Sequence, residues 1–234
     1  MTGSASDKST GSRRLYGRGA GRPLSARRQE LYDQLLPKIG LPAEGPIDPR
    51  ALFPDAEPGV EEVRLEIGFG GAEHLIGQAR AHPAVGFIGV EPFVEGVGKA
   101  LAQIEESGVT NVRLRHGDGR DVIERIPDGS LSVVYALFPD PWPKTRHYKR
   151  RLIQPDFVAE CARVLKPGGL LRVATDVKAY VDWTLVHVRA NPAFVWTARR
   201  PADWRAPPAD HVTTRYESKN IGDCPPVFLN FKRR

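Results

Sequence analysis

Short apolar runs, each bounded by glycine, proline or aspartate, punctuate the chain from Val63 onward. Those at 63–67, 86–90, 111–115, 131–137, 169–174, 194–198 and 227–231 have the length and composition of strands. The run 131–137 follows the turn signal Pro127-Asp128-Gly129 and is apolar at nearly every position, as in a strand buried on both faces. Helical spacing of apolar residues appears between the early strands at 72–81, 94–107 and 120–125, and later at 154–165 and 178–190. Strand–helix alternation with short links predicts an α/β fold, a doubly wound and mostly parallel sheet with helices on both faces. No clear helix separates the last two strands, so an antiparallel, hairpin-like pair is expected at one edge.

The region before Val63 reads differently. Residues 1–30 are rich in Ser, Gly and Arg and poor in apolar side chains, which predicts a basic, disordered arm that either touches RNA or is a solvated tail. A short helix over 29–36 ends near Pro37, and Pro42, Pro46, Pro49, Pro54 and Pro58 make an irregular approach to the sheet. Residues 31–234 are expected to form a single domain, since 234 residues suit one large core.

Composition narrows the class. A 26% charged and 41% hydrophobic chain is ordinary for a soluble globular protein, whereas a net charge of +6 points to a polyanionic partner. The excess is concentrated in the first thirty residues and at 144–151. Cys161 and Cys224 make neither a disulfide framework nor a zinc spacing, and the six histidines are scattered, so no metal and a reducing compartment are expected. No apolar run reaches membrane-spanning length and no signal peptide is seen, so a cytoplasmic protein with no membrane partner is the expectation.

The densest chemistry lies in Phe138-Pro139-Asp140-Pro141-Trp142-Pro143, followed by Lys144, Arg146, His147, Tyr148, Lys149, Arg150 and Arg151. Prolines on both sides should hold Asp140 and Trp142 on a stiff, extended loop at the carboxyl end of a strand, where open α/β sheets bind ligands. The basic run beside it fits phosphates; a plain rigid turn with a solvated helix start is the alternative. Upstream, Gly68 and Gly70 in Leu65-Glu66-Ile67-Gly68-Phe69-Gly70-Gly71-Ala72 allow close approach of a ligand to a helix N-terminus. Glu73 stands where a dinucleotide fingerprint wants its last glycine, which weakens a pyrophosphate reading. Acids recur at strand ends: Glu66, Glu91, Asp118 and Asp140. A ligand met by four acids should carry hydroxyls, amines or positive charge, and S-adenosylmethionine has all three without phosphate. Glu91 lies at the distance expected of a ribose-binding acid, and Asp118 suits the adenine amine. Asp176 offers a further acceptor or caps a helix, and Tyr216 is either a base contact or edge packing.

Glu66-Ile67-Gly68-Phe69-Gly70, the Phe138-Pro139-Asp140-Pro141-Trp142 segment with its basic run, Ala174-Thr175-Asp176 and Thr214-Arg215-Tyr216-Glu217 together resemble the bacterial tRNA (guanine-N7)-methyltransferase family. The resemblance covers about residues 60–234. It implies a Rossmann-like, seven-stranded class I methyltransferase fold and methylation of N7 of guanosine 46 in the tRNA variable loop, with S-adenosylmethionine as cofactor and tRNA as partner. Carried over by position, it implies cofactor contacts at Glu66, Gly68, Gly70, Glu91, Asp118 and Asp140, with Asp140 the catalytic acid. Substrate contacts would be Lys144, Asp176, Thr214, Arg215, Tyr216 and Glu217, and the RNA-binding segment Arg146, His147, Tyr148, Lys149, Arg150 and Arg151. The family usually has glycine at Ala72, a tolerable change if that residue is helical with negative φ. A small-molecule methyltransferase would leave the basic run idle, and a non-catalytic RNA-binding module would have no need of the cofactor. Monomer and homodimer are both compatible with the sequence.

Overall fold

The computed structural model describes residues 21 and 23–234; most of the basic arm lies outside them. Seven strands, β1 Glu62–Ile67, β2 Val85–Glu91, β3 Val112–His116, β4 Leu131–Leu137, β5 Leu165–Thr175, β6 Phe194–Trp196 and β7 Val227–Arg233, form one sheet in the order 3-2-1-4-5-7-6. β1 to β5 are mutually parallel, while β7 runs antiparallel to both β5 and β6. The expected antiparallel pair is present but is not a hairpin. β7 inserts between β5 and β6, reached by a long connection holding the short helix α8 (Ala202–Arg205) and the segment 208–222.

The remaining helices are α1 Ala26–Gln34, α2 Leu36–Ile39, α3 Glu73–Ala81, α4 Val94–Ser107, α5 Gly119–Ile123, α6 Pro155–Val164 and α7 Lys178–Arg189. α6 opens with proline at its first turn, where the missing N–H has no intrahelical partner to lose. One apolar cluster unites α1, α3 and α4 with β2 and β3 around Leu75, Leu101 and Leu114. A second joins α5, α6 and α7 to the central strands through Leu65, Val134, Phe157 and Leu171. Side chains fully buried in this way stabilise the fold by about 1.5–3 kcal/mol each, before conformational entropy is set against them.

Several boundaries differ from expectation, and three have an evident physical cause. Helix α1 starts at Ala26, so Arg27 and Arg28 are helical; Arg27 pairs with Glu30 and with Glu105 of α4, and Leu31 is buried. β5 starts earlier than glycine-based punctuation suggests, because Leu165 pairs with Leu131 before the ladder shifts register around Pro167, Gly168 and Gly169. Helix α3 starts at Glu73 because Ala72 has φ 67°, in the left-handed region, which corrects the expectation of a negative φ there.

Candidate functional site

The order of strands reverses between β1 and β4, and a cavity of ≈ 510 Å³ opens beyond their carboxyl ends. Gly68 and Gly70, at φ 75° and 55°, form its floor, and a methyl group built on either would meet no protein atom within 4 Å. These glycines therefore serve two needs, the positive φ of the turn and an open surface for a ligand. Glu91, ending β2, is buried; Oε2 accepts from the Gly70 N–H at 2.8 Å and Oε1 from the Phe93 N–H at 2.8 Å. Burial pushes its pKa up; the two backbone donors pull it down, and Asp140 and Glu66 add to the rise. The wall is thus rich in negative charge, an environment that favours a cationic ligand.

Asp118 also lines the cavity, but its carboxylate is engaged. It caps α5 through the Arg120 N–H at 2.9 Å and meets the Arg120 guanidinium at 2.6 Å. Arg120 itself lines the cavity, a neighbour the sequence reading missed although it stands two residues after the acid. Glu66 does not line the cavity. It is 3% exposed, with Oε2 2.7 Å from His74 Nδ1, so the structure assigns it to a buried pair rather than to direct ligand contact.

Asp140 is exposed on the cavity wall with Phe138 and Trp142. The loop is not extended throughout: Phe138 and Trp142, each preceding a proline, adopt φ of 50° and 43°. Proline disfavours the right-handed helical region for its predecessor, and these two residues have gone to the left-handed one. Such conformations cost on the order of 1–3 kcal/mol each and persist only when the surroundings impose them. Here Arg151 supplies the brace. It is 2% exposed, its Nε donates to the Pro141 carbonyl at 2.8 Å, and its guanidinium lies 3.8 Å from the Tyr148 ring centroid, 4.8 Å from Trp183 and 5.4 Å from Tyr180.

This corrects the reading of 144–151 as a uniform phosphate grip. Residues Thr145–Arg150 form a 3-10 helix that leaves Arg146 and Lys149 exposed, with Lys144 exposed just before it. Arg150 turns to the cavity, 5.0 Å over the Trp142 ring. Tyr148, half-buried, packs edge-on to Trp183 at 5.3 Å, and both rings enclose the buried Arg151, which is thereby withdrawn from the surface. His147 lies edge-on to Trp142 at 5.8 Å; partial desolvation and then the cations Arg150, Arg146, Lys144 and Lys149 lower its pKa.

Behind Tyr216, Asp176 is buried outside the cavity lining and does not cap α7. Thr175 Oγ1 takes the Val177 N–H and Asp223 the Lys178 N–H, leaving Asp176 Oδ1 to accept from Tyr216 at 3.3 Å. Tyr216 packs against Phe138 at 5.3 Å and lines the cavity, and desolvation followed by Asp176 and Asp140 raises its pKa. Thr214 and Glu217 do not join it there. Glu217 Oε1 accepts the Thr214 N–H at 2.8 Å, Thr214 Oγ1 accepts the Glu217 N–H at 3.3 Å, and His211 Nε2 lies 2.9 Å from Glu217 Oε2. This is a capping box, so both side chains shape the turn that presents Tyr216. Arg215 is exposed outside the cavity lining, whereas Lys219, a residue sequence reasoning passed over, lies within it. No group of three or more metal-ligating side chains occurs among the described residues. No helix among them is long and apolar enough to cross a membrane.

A family model described as putative methyltransferase matches residues 61–224. The chain is 53% identical over 234 residues to the tRNA (guanine-N(7)-)-methyltransferase of Rhodospirillum rubrum, covering 97% of this chain and 91% of that protein. It is 51% identical over 222 residues to the protein of the same name from Hyphomonas neptunium, covering 94% and 100%. Among solved structures it resembles the 16S rRNA methyltransferase KamB, with TM-score 0.56 at 16% identity over 78% of this chain and 93% of that one. It also resembles TrmN from Thermus thermophilus, with TM-score 0.52 at 17% identity over 92% and 55%. At such identities the likeness to the solved structures is one of fold.

Proposed function

The chain belongs to the tRNA (guanine-N(7)-)-methyltransferase family, and on that premise we propose that it transfers the methyl group of S-adenosylmethionine to N7 of guanosine 46 in the tRNA variable loop. It is an enzyme with the fold of class I methyltransferases. The observation that carries the finer reading is the meeting of Asp140, Glu91 and the Gly68–Gly70 turn in one cavity, with Arg150 on its wall and Arg146 and Lys149 on the same 3-10 helix.

When bound, S-adenosylmethionine supplies an electrophilic methyl on a sulfonium. The residues fit it: Glu91 keeps acceptor capacity for a ribose diol beyond its two backbone bonds, and Asp118 keeps some for the adenine amine beside Arg120. Guanine N7 has a lone pair and no proton, so this chain needs no general base. Asp140 accepts from the guanine N1 and N2 donors, which orients N7 and selects guanine, and its charge opposes the positive charge that develops on the ring. Orientation of this kind supplies up to about 7–11 kcal/mol of the barrier reduction. Tyr216, held by Asp176 and Phe138, offers an aromatic face at the base, while Lys144, Arg146 and Lys149 take backbone phosphates. We place the reaction in the cytoplasm with its tRNA substrate.

The test is transfer of a tritiated methyl group to unmodified tRNA, followed by mapping of the labelled base. The expected result is label at N7 of the variable-loop guanosine. Label elsewhere, or none while cofactor still binds, overturns the reading.

A further inference from the structure

Helix α3 carries His74, Gly77 and Gln78 on one face, at the i, i+3 and i+4 spacing that makes helix neighbours. All three meet the start of the segment 208–222. The His74 and His211 rings lie 5.7 Å apart, Gln78 Nε2 donates to the Asp210 carbonyl, and a methyl at Gly77 would fall 2.8 Å from Val212 Cγ2. Arg172 of β5 fixes Asp210 from the other side at 2.7 Å. Each imidazole is then tied to a carboxylate. On one side His74 holds Glu66, and these two residues bracket the Gly68–Gly70 turn of the cofactor cavity. On the other side His211 holds Glu217, whose capping box sets the turn bearing Tyr216. All four side chains are less than one-tenth exposed, so these contacts are largely shielded from solvent competition.

We propose that His74 and His211 are a positioning pair that couples the cofactor turn to the substrate segment, so that occupation of one tightens binding at the other. Neither is a catalytic residue, since neither lines the cavity around Asp140. The inference rests on the functional reading above, which assigns the two ligands. Coupling of this kind is reciprocal: if tRNA tightens cofactor binding, the cofactor tightens tRNA binding by the same factor.

The experiment measures the affinity of S-adenosylhomocysteine with and without tRNA by equilibrium dialysis, in the full chain and three variants. In the unaltered protein tRNA should tighten binding by about 5-fold or more. His211→Phe keeps a ring against Phe228 but cannot donate to Glu217, so the tightening should fall to near unity with binary affinity within about 2-fold of the parent. His211→Gln, which can donate to Glu217, should restore it. Gly77→Ala leaves both imidazoles in place but displaces Val212, and should uncouple as well; it carries the test alone if His211→Phe fails to fold. Unchanged tightening in His211→Phe and Gly77→Ala overturns the inference. So does a parent protein in which tRNA leaves the affinity unaltered, a His211→Gln as defective as His211→Phe, or equal loss of both ligands in every variant. A parent protein that binds no S-adenosylhomocysteine or methylates no tRNA refutes the functional reading instead.

Discussion

The segments 138–143 and 208–222 both line the cavity and are held by different physics. The loop 138–143 is stiff in its own backbone: three prolines, two of them after left-handed residues, and one buried guanidinium underneath in an aromatic cage. The segment 208–222 has no such run of prolines; it is held within itself by the Thr214–Glu217 capping box and the His211–Glu217 pair, and from outside by polar contacts of Asp210 to α3 and β5. The first holds Asp140 on a backbone that is fixed in advance, as the role proposed for that carboxylate requires of a charge stabilising a transition state. The second, on the coupling proposed above, answers occupancy of the cavity through its contacts to α3.

Several substitutions set these walls against each other. Asp140→Asn should lower turnover by about 10²- to 10³-fold with tRNA affinity nearly unchanged. Full turnover would show that the carboxylate on the stiff wall is dispensable. Arg151→Met keeps length but loses the bond to Pro141 and the ring contacts, and should destabilise the fold by about 2–4 kcal/mol and lower turnover. Its salt dependence of tRNA binding should stay that of the parent, because Arg151 is buried; a flatter slope would return it to the phosphate-binding set. Arg146→Ala and Lys149→Ala should do the converse, leaving stability within about 0.5 kcal/mol and reducing the slope of log affinity against log salt by about 1 each.

The smallest effect is on the cofactor side. Burial raises the Glu91 pKa in the free protein, and on the function proposed above ribose hydroxyls would donate to its ionised form. Cofactor affinity should therefore be full above that raised pKa and decline as pH falls through it, starting above the usual glutamate range. Calorimetric titration across pH with Glu91→Gln as the flat control checks this, and a parent profile as flat as the variant's would contradict it.

Much of this was legible in the chain. β4 and α4 appear at the expected bounds, since an apolar run after a turn and an amphipathic stretch ending at Gly108 are both local signals. The strand-end position of Glu91, Asp118 and Asp140 was readable for the same reason. Arg150 and Arg151 were not separable: they are identical neighbours with opposite fates, decided by Tyr180 and Trp183 of α7, far along the chain. The buried pair that takes Glu66 away from the cavity is likewise tertiary. Thr214 and Glu217 are a different kind of miss, because their spacing is itself a capping-box signature that the residues spelled out.

Ala72 sits in a left-handed turn with its methyl fully enclosed. Two demands therefore collide at one position: the backbone prefers no side chain, and the surrounding apolar cluster has closed around a small one. A saturation library at this codon should retain activity with glycine and alanine and lose it with every β-branched or larger residue.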